Sequence, residues 1–388
     1  MRAESIVRQV LGELGTNIHQ ARLSAVMAAV VSLIHGGQVG LTALGRVITP
    51  QSQKHGIKRV DRLLGNQALF KELDDFYAAI TLYVLRSAKC STRPTILLDW
   101  TESGPTMCTL SAAVPVEGRA IPIYSVTVPL FQYASVAVES AFLAKLQILV
   151  GHGCKPILLG DAGFRGPWIK RIQAMGWDFA VRIRGRTQIQ LADEPRWQHW
   201  KKLSSLAGRV PRSLGQCRFV RTRSVEARLV VVDRRSQRAR SSKLKRRNVR
   251  ARRAAKAQRE PWFLATSLRW PPGDVVKLYA LRMQIELSFR DLKSHRFGWS
   301  FEDARCRSTS RVAVQIMIAA VASLVSMLVG IAAENAGLQR RFQANTIKKR
   351  RVLSFVWLGR EIINKTPTLL RSLAMPDLSN HIQFGGIR

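Results

Sequence analysis

Asp99 in TILLDWT, Asp161 in PILLGDAGF and Glu286 in YALRMQIELSFRDLK are acids placed for chemistry rather than solubility. Asp99 and Asp161 each close a short apolar run, so each is expected at the tip of a buried strand. A carboxylate held there without a partner is costly. Asp161, which precedes Ala-Gly-Phe-Arg-Gly-Pro, also fits a turn or helix-capping aspartate; Asp99, which precedes Trp100, fits that role less well. Three carboxylates in one pocket repel one another, and a divalent metal is the usual remedy. Hard oxygen donors select Mg²⁺ or Mn²⁺, and no His or Cys cluster argues for zinc.

The segment from Tyr279 to Lys293 reads as one helix. At about 100° per residue, Tyr279, Arg282, Glu286, Arg290 and Lys293 share a stripe about 80° wide. Leu281, Ile285, Phe289 and Leu292 form a separate apolar stripe that packs inward. The same spacing also fits an exposed ladder of i, i+4 ion pairs. One acid among several cations, however, leaves surplus positive charge, which suits phosphate contacts better than a balanced ladder does.

The chain has 388 residues, 62 Lys plus Arg against 25 acids and a formal net charge of +37. Such an excess points to nucleic acid or an anionic membrane. Hydrophobic residues make up 46%, enough for a packed core, and the length suggests two or three domains. The five cysteines are scattered with no CxxC pair, which disfavours a disulfide framework or zinc site and suits a reducing cytoplasm. The opening MRAESIVRQVLGELG has no apolar signal core, so export is not expected. Val312 to Ala333 is long enough for a bilayer crossing. Its Gln315, Ser323, Ser326 and small residues favour a buried core helix instead, and no membrane partner is expected.

Those site residues need elements to hold them. Residues 4–85 read as several short helices with a basic stretch of Lys54, Lys58, Arg59 and Arg62, suited to a helical DNA-binding unit or an ordinary helical cap. From Ser91 the pattern becomes strand-like: TILLDWT, MCTLSAAV and RAIPIYSVTVP, then a helix near Val136–Val150, strand PILLGD, helix PWIKRIQAMG and strand DFAVRI. The order β-β-β-α-β-α-β implies a mixed sheet with helices packed on it. Residues 185 to about 270 read as a separate β-rich insertion containing CRFVRTRS, ARLVVVD and PWFLATS. Inside it, residues 234–259 hold thirteen basic residues and no acid, a solvated loop or one lying on phosphates. A basic amphipathic helix is expected in IKKRRVLSFVWLGREIIN, and the last twenty residues look poorly structured.

Tyr279, two residues, Arg282, three residues, Glu286, six residues, Lys293 matches the signature of the DDE transposases of insertion-sequence family four, with Asp99 in LLDWT and Asp161 in GDAGF in place of its two aspartates. The chain resembles that family over nearly its whole length, including KRVDRLLGN near the N-terminus. The family contains the cut-and-paste transposases of the composite tetracycline- and kanamycin-resistance transposons. The resemblance implies an α/β fold: a ribonuclease-H-like mixed-sheet catalytic core, a β-rich insertion and an N-terminal helical DNA-binding domain. The corresponding boundaries are 1–90, 91–184, 185–265, 266–345 and a C-terminal 346–388.

The resemblance further implies two-metal phosphoryl transfer on DNA. Asp99 would bridge two Mg²⁺ ions, with Mn²⁺ as substitute, and Asp161 and Glu286 would each hold one. Arg282 and Lys293, with Arg290 on the same stripe, would contact phosphates; Tyr279 would position the strand. Trp262 in EPWFLATS would stack on a flipped base, though it also fits an ordinary strand tryptophan. Relatives often carry arginine directly after the second aspartate; here Ala162 stands there, and Arg165 is the expected substitute. Lys58 and Arg59 would bind DNA. The expected partners are double-stranded DNA, as terminal inverted repeats and target, and a second copy of the chain on DNA, in the bacterial cytoplasm at the nucleoid. Glu102, Glu302 and Asp303 are competing acids expected at surfaces or turns. A metal-dependent nuclease without strand transfer, or a non-catalytic DNA-binding protein, are the alternatives.

Overall fold

The structure is a computed structural model that describes residues 2–12, 18–87, 92–234, 260–344, 346–347 and 350–383. The basic stretch expected to lie on phosphates is outside the described residues from 235 to 259, as is Cys90.

The N-terminal third is helical, as its apolar periodicity predicts: α1 (Ala3–Leu11), α2 (Gln20–Gly36), α3 (Leu41–Ile48), α4 (Gln53–Leu64), α5 (Gln67–Lys71) and α6 (Leu73–Ser87). Gly37 ends α2 in the left-handed region at φ 71°, a conformation that favours glycine. α3 and α4 touch backbone to backbone, because a Cβ at Gly56 would lie 2.0 Å from the Gly45 carbonyl oxygen. These helices share one hydrophobic core with the sheet that follows.

β1 (Thr95–Glu102), β2 (Met107–Val116) and β3 (Arg119–Pro129) form an antiparallel meander. α7 (Val136–Val150), β4 (Ile157–Gly160), α8 (Gly166–Ala174) and β5 (Asp178–Arg182) complete the expected order, with β4 parallel to both β1 and β5. Next come β6 (Gln188–Leu191), β7 (Gln198–His199), β8 (Arg212–Phe219), β9 (Val225–Val232) and β10 (Trp262–Thr266). All belong to one sheet of order β3-β2-β1-β4-β5-β10-β9-β8-β6-β7. The expectation of a separate β-rich insertion is corrected here. β10 is buried on both faces and pairs antiparallel with β5 on one edge and β9 on the other, so the later strands extend the core sheet.

The two faces of the sheet carry different layers. Ile96, Leu98 and Leu158 face the large core shared with the N-terminal helices. Leu97, Leu159 and Ala180 face α9 (Pro272–Ala280) and α10 (Met283–Lys293), through Val275, Tyr279 and Ile285.

α11 (Thr309–Asn335) is the apolar segment weighed as a membrane span. It is apolar enough to cross a bilayer, with mean hydropathy 2.5, yet 94% of that stretch is buried inside the protein, as expected for a core helix. It packs closely on α12 (Phe355–Lys365). A Cβ at Gly359 would lie 1.8 Å from the Ser326 carbonyl oxygen, and one at Gly330 would lie 2.1 Å from that of Phe355. Gly359→Ala must therefore push the two helices apart and should destabilise the protein by at least about 1–3 kcal/mol. An unchanged thermal midpoint would contradict that close approach.

The basic amphipathic helix expected from Ile347 begins instead at Phe355, where the Ser354 side chain accepts from the Trp357 N–H as an N-cap. As far as Gln383, the C-terminal segment is more ordered than its sequence suggests. α13 (Pro367–Ser372) follows α12, Leu370, Leu378 and Ile382 are buried, and Ile382 bridges to Val116 at the end of β2.

Candidate active site

β1 and β4 run parallel, with Thr95 opposite Ile157, Ile96 opposite Leu158 and Leu97 opposite Leu159. Carrying that register on by two residues sets Asp161 beside Asp99. Strand alternation turns both onto the face of Leu97 and Leu159, beneath α9 and α10. Asp161 follows β4 directly, as expected, and its Oδ1 also accepts the Gly163 N–H at 2.7 Å, so it caps the turn as well. Asp99 differs from expectation by lying inside its strand rather than at the tip. The cause is pairing: β4 ends at Gly160, while β1 stays bonded to β2 as far as Glu102 opposite Cys108.

Glu286 comes from α10, which is pinned to the start of β3. Arg119 bonds both oxygens of Asp291, with Nη2–Oδ1 at 3.3 Å. Ser288 Oγ accepts the Ala120 N–H at 2.8 Å, and Ile285 is buried below.

The segment from Tyr279 to Lys293 is not the single helix its periodicity predicts. α9 ends at Ala280 and α10 starts at Met283. Across the junction the bonds span three residues: Leu281 N–H to Leu278 O at 3.0 Å, Arg282 to Tyr279 at 3.1 Å and Gln284 to Leu281 at 2.9 Å. This tightened turn takes Tyr279 off the shared stripe and into the core, 3% exposed, at the edge of the Trp262 ring. Burial pushes its phenol up to about 12, against the pull of Arg282 and Arg182. The strand-positioning contact expected of Tyr279 is thus not on offer at the surface; it backs Arg282 instead.

Arg282 also lies inside, 9% exposed. Its Nη1 stands 3.5 Å from Asp99 Oδ2, and its Nη2 donates to Glu286 Oε1. Asp99, Glu286, Arg290 and Lys293 line one open cleft together with Trp100, Thr101 and Glu302. Glu302, expected at the surface, is exposed but faces this cleft, and neighbouring Asp303 bonds His295.

One guanidinium faces two acids, Asp99 and Glu286. Burial pushes the Asp99 carboxyl up to about 7; Arg282 pulls it down, while Asp161 and Glu286 push it further up. Burial opposes the charge of Arg282, but Tyr279, Glu286 and Asp99 outweigh it and raise its pKa. Three hard carboxylates fit a divalent cation, and Arg282 is the cation present between two of them. As arranged, no group of three or more His, Cys, Asp or Glu among the described residues is set to hold a metal ion. The guanidinium must move before an ion could take its place.

The remaining expected contacts are dispersed. Trp262 sits in β10, 9% exposed, with Arg234 over its ring at 4.5 Å and Arg182 at 6.0 Å. It is thus a buried strand tryptophan with guanidinium groups beside its ring. Arg165 is exposed at the head of α8. Lys58 and Arg59 project into solvent from α4 and do not line the cleft. Sequence reasoning missed Glu139, buried in the first turn of α7. Burial raises its carboxyl to about 7, with Trp100 and Arg165 opposing. It also missed the Arg119–Asp291 pair; neither carries a motif.

Residues 133–325 match the family model of the transposase DDE domain. The match includes Asp161 and Glu286 and begins downstream of Asp99. Comparison with curated proteins gives no match. Over just under half of its length the chain thus carries a transposase DDE domain, which supports its reading as a DDE transposase, an enzyme that processes nucleic acid.

Proposed function

We propose that this chain is a cut-and-paste DNA transposase of the insertion-sequence-four type, which excises an element at its terminal inverted repeats and joins it to target DNA. The observation that carries the reading is the convergence of Asp99, Asp161 and Glu286. The parallel register of β1 and β4 brings the first two together, and α10 lays the third over them. The net charge of +37 supplies a surface for a polyanion.

Asp99, Asp161 and Glu286 would hold the Mg²⁺ ions, which when bound would activate the attacking oxygen and stabilise the departing one. The protein's own groups do the rest. Arg290 and Lys293, on the cleft wall beside Glu286, hold the DNA phosphates. Arg282 exchanges its carboxylate partners for a phosphate as DNA enters, which frees the acids. Trp100, next to Asp99 in the cleft lining, limits water around the reacting phosphate. The same chemistry, repeated with the freed 3′-hydroxyl as nucleophile, would close a hairpin and release the flanking DNA; water would reopen the hairpin, and the regenerated 3′-hydroxyl would join target DNA.

α4 presents Lys58 and Arg59 to DNA outside the cleft, and Arg165 reaches a phosphate near the second aspartate. Two ends must be held together, so the working form is a dimer on DNA in the bacterial cytoplasm. The test is incubation of the protein with Mg²⁺ and DNA carrying the ends that flank its gene. Joined products are expected. Cut ends without joining would replace transposition with nuclease action, and band shifts without cutting would leave only DNA binding.

A further inference from the structure

His295 stands just past the end of α10, in the wall of the cleft that also holds Asp99 and Glu286. Its Nδ1 pairs with Asp303 Oδ2 at 2.5 Å. A tight turn over Phe301–Ala304 brings Asp303 back to the ring, and it is flanked by Ser300 at φ 51° and Arg305 at φ 46°. Side chains other than glycine rarely take that left-handed conformation. Such strain persists only where the surroundings enforce it, and it collects at functional sites. Here the surroundings do enforce it. Trp299 and Phe301 are buried. The Trp299 N–H donates to Asp291 O at 3.0 Å, that of Ser300 to Ser294 O at 3.2 Å and that of Asp303 to Ser300 O at 3.0 Å. A Cβ at Gly298 would lie 1.5 Å from the Asp291 carbonyl oxygen, so the loop is pressed onto the end of α10.

The pair with Asp303 decides what the ring can offer. With Nδ1–H turned to the carboxylate, Nε2 is the nitrogen left for a ligand. In the neutral ring Nε2 is an acceptor, which repels a phosphate oxygen; in the protonated ring it is a donor, which binds one. The charged groups around His295 are Asp303 and Glu302 on the turn, Glu286, Arg290 and Lys293 on α10, Asp99 on β1, and the adjacent Arg296, whose guanidinium lies over Phe297. Arg290 and Lys293 are permanent cations in the same wall, so they favour an anion as the ligand over a metal ion.

We propose that His295, held by Asp303, is a proton-dependent phosphate contact in the cleft: its Nε2–H donates to a DNA phosphate oxygen only when the ring is protonated, so DNA binding draws a proton from solvent onto the protein. The inference rests on the DNA-processing reading above and adds a regulation of the same site. Histidine is the side chain that changes charge between about pH 5 and 8, so the contact strengthens as pH falls. By linkage, whatever proton the ring gains on binding DNA is matched by tighter DNA binding at lower pH.

The test titrates the full chain with duplex DNA carrying the element's ends, in EDTA so that no strand is cut. Calorimetry in buffers of different ionisation enthalpy counts the protons taken up, and fluorescence anisotropy reads affinity across pH. Asp99, which burial holds up to about 7, titrates in the same range, so the readout is the difference between wild type and His295→Gln. The His295 side chain is 63% exposed, so the replacement leaves the core intact. At pH 7 the variant should take up roughly half a proton less. From pH 8 to 6 wild-type affinity should rise roughly three- to tenfold more than the variant's. His295→Lys, a permanent cation, should bind more tightly than wild type at pH 8 and share the lower proton uptake of His295→Gln. Equal uptake by wild type and His295→Gln would overturn the proposal, as would a lysine variant that binds no better than the glutamine one. If wild-type protein binds no DNA, the DNA-processing reading itself fails.

Discussion

Asp99→Asn should abolish strand cleavage, by more than about a hundredfold, while leaving DNA affinity within about twofold of wild type. Groups standing merely behind a metal ligand are worth 10–100-fold, and Asp99 is proposed as a ligand itself. The measurement is the nicking rate of labelled end-containing DNA in Mg²⁺, alongside a band-shift titration. Glu302→Ala, at an acid on the same cleft wall, should leave cleavage within a few-fold. The asparagine variant should also alter stability in EDTA. The Asp99 carboxyl is raised from 3.8 to about 7, so between those values the folded protein holds a proton that the unfolded chain has lost. Its contribution to stability is full below about pH 4 and disappears as pH rises through 7, on the order of a few kcal/mol. Glu139, raised from 4.5 to about 7 by burial, acts in the same sense. Wild-type melting should therefore weaken from pH 4 to 7.5, and Asp99→Asn should flatten part of that slope. An unchanged slope, or a variant that still cuts, would contradict the placement of Asp99.

Arg282→Gln should have two opposite effects. In the protein alone it should tighten Mn²⁺ binding by about tenfold or more, because a full positive charge leaves a buried site within about 4 Å of the carboxylates. The same change should slow cleavage, since the phosphate partner is lost. Electron paramagnetic resonance titration of free Mn²⁺ reads the first effect without any need for turnover. Arg282 spans Asp99 and Glu286 in the free protein, so wild type should bind Mn²⁺ weakly until DNA draws the guanidinium away. DNA should then tighten Mn²⁺ binding, and Mn²⁺ should tighten DNA binding by the same factor; in Arg282→Gln that coupling should shrink. Lys293→Gln, which removes a charge from the same cleft, should affect Mn²⁺ far less. Equal effects from the two variants would reduce Arg282 to one cation among several. Without metal, Arg282→Gln should lose about 3–5 kcal/mol of stability, the usual cost of stripping a buried ion pair of one partner.

The central strands were legible because buried strands write themselves as short apolar runs. TILLDWT, PILLGD and DFAVRI became β1, β4 and β5 in the expected order. The long apolar helix was legible for the same reason, with Gln315 reaching the Val39 carbonyl from inside the core at 3.2 Å. Pairing partners were not legible. Nothing local in PWFLATS says that its other edge bonds to DFAVRI, so the later strands looked like a separate unit. Periodicity also carried one helix through Tyr279–Lys293, because a turn that tightens for three residues changes no side-chain pattern. That error matters for function: it placed Tyr279 and Arg282 on an outward row, while the structure turns both inward. Trp262 illustrates the same limit, since exposure depends on Tyr279, Arg182 and Arg234, which lie elsewhere in the chain. The pairing of His295 with Asp303 was equally hidden, because it depends on the left-handed residues Ser300 and Arg305 that flank the turn between them.

The central claim is that Asp99, Asp161 and Glu286 meet around divalent cations. Loading the DNA complex with Fe²⁺ in place of Mg²⁺ and generating hydroxyl radicals tests it most directly, because the backbone is cut only near the bound iron. The account predicts cuts clustered at residues near 99, 161 and 286, all suppressed by excess Mg²⁺. Cuts at one of these segments alone, or a pattern indifferent to Mg²⁺, would contradict it.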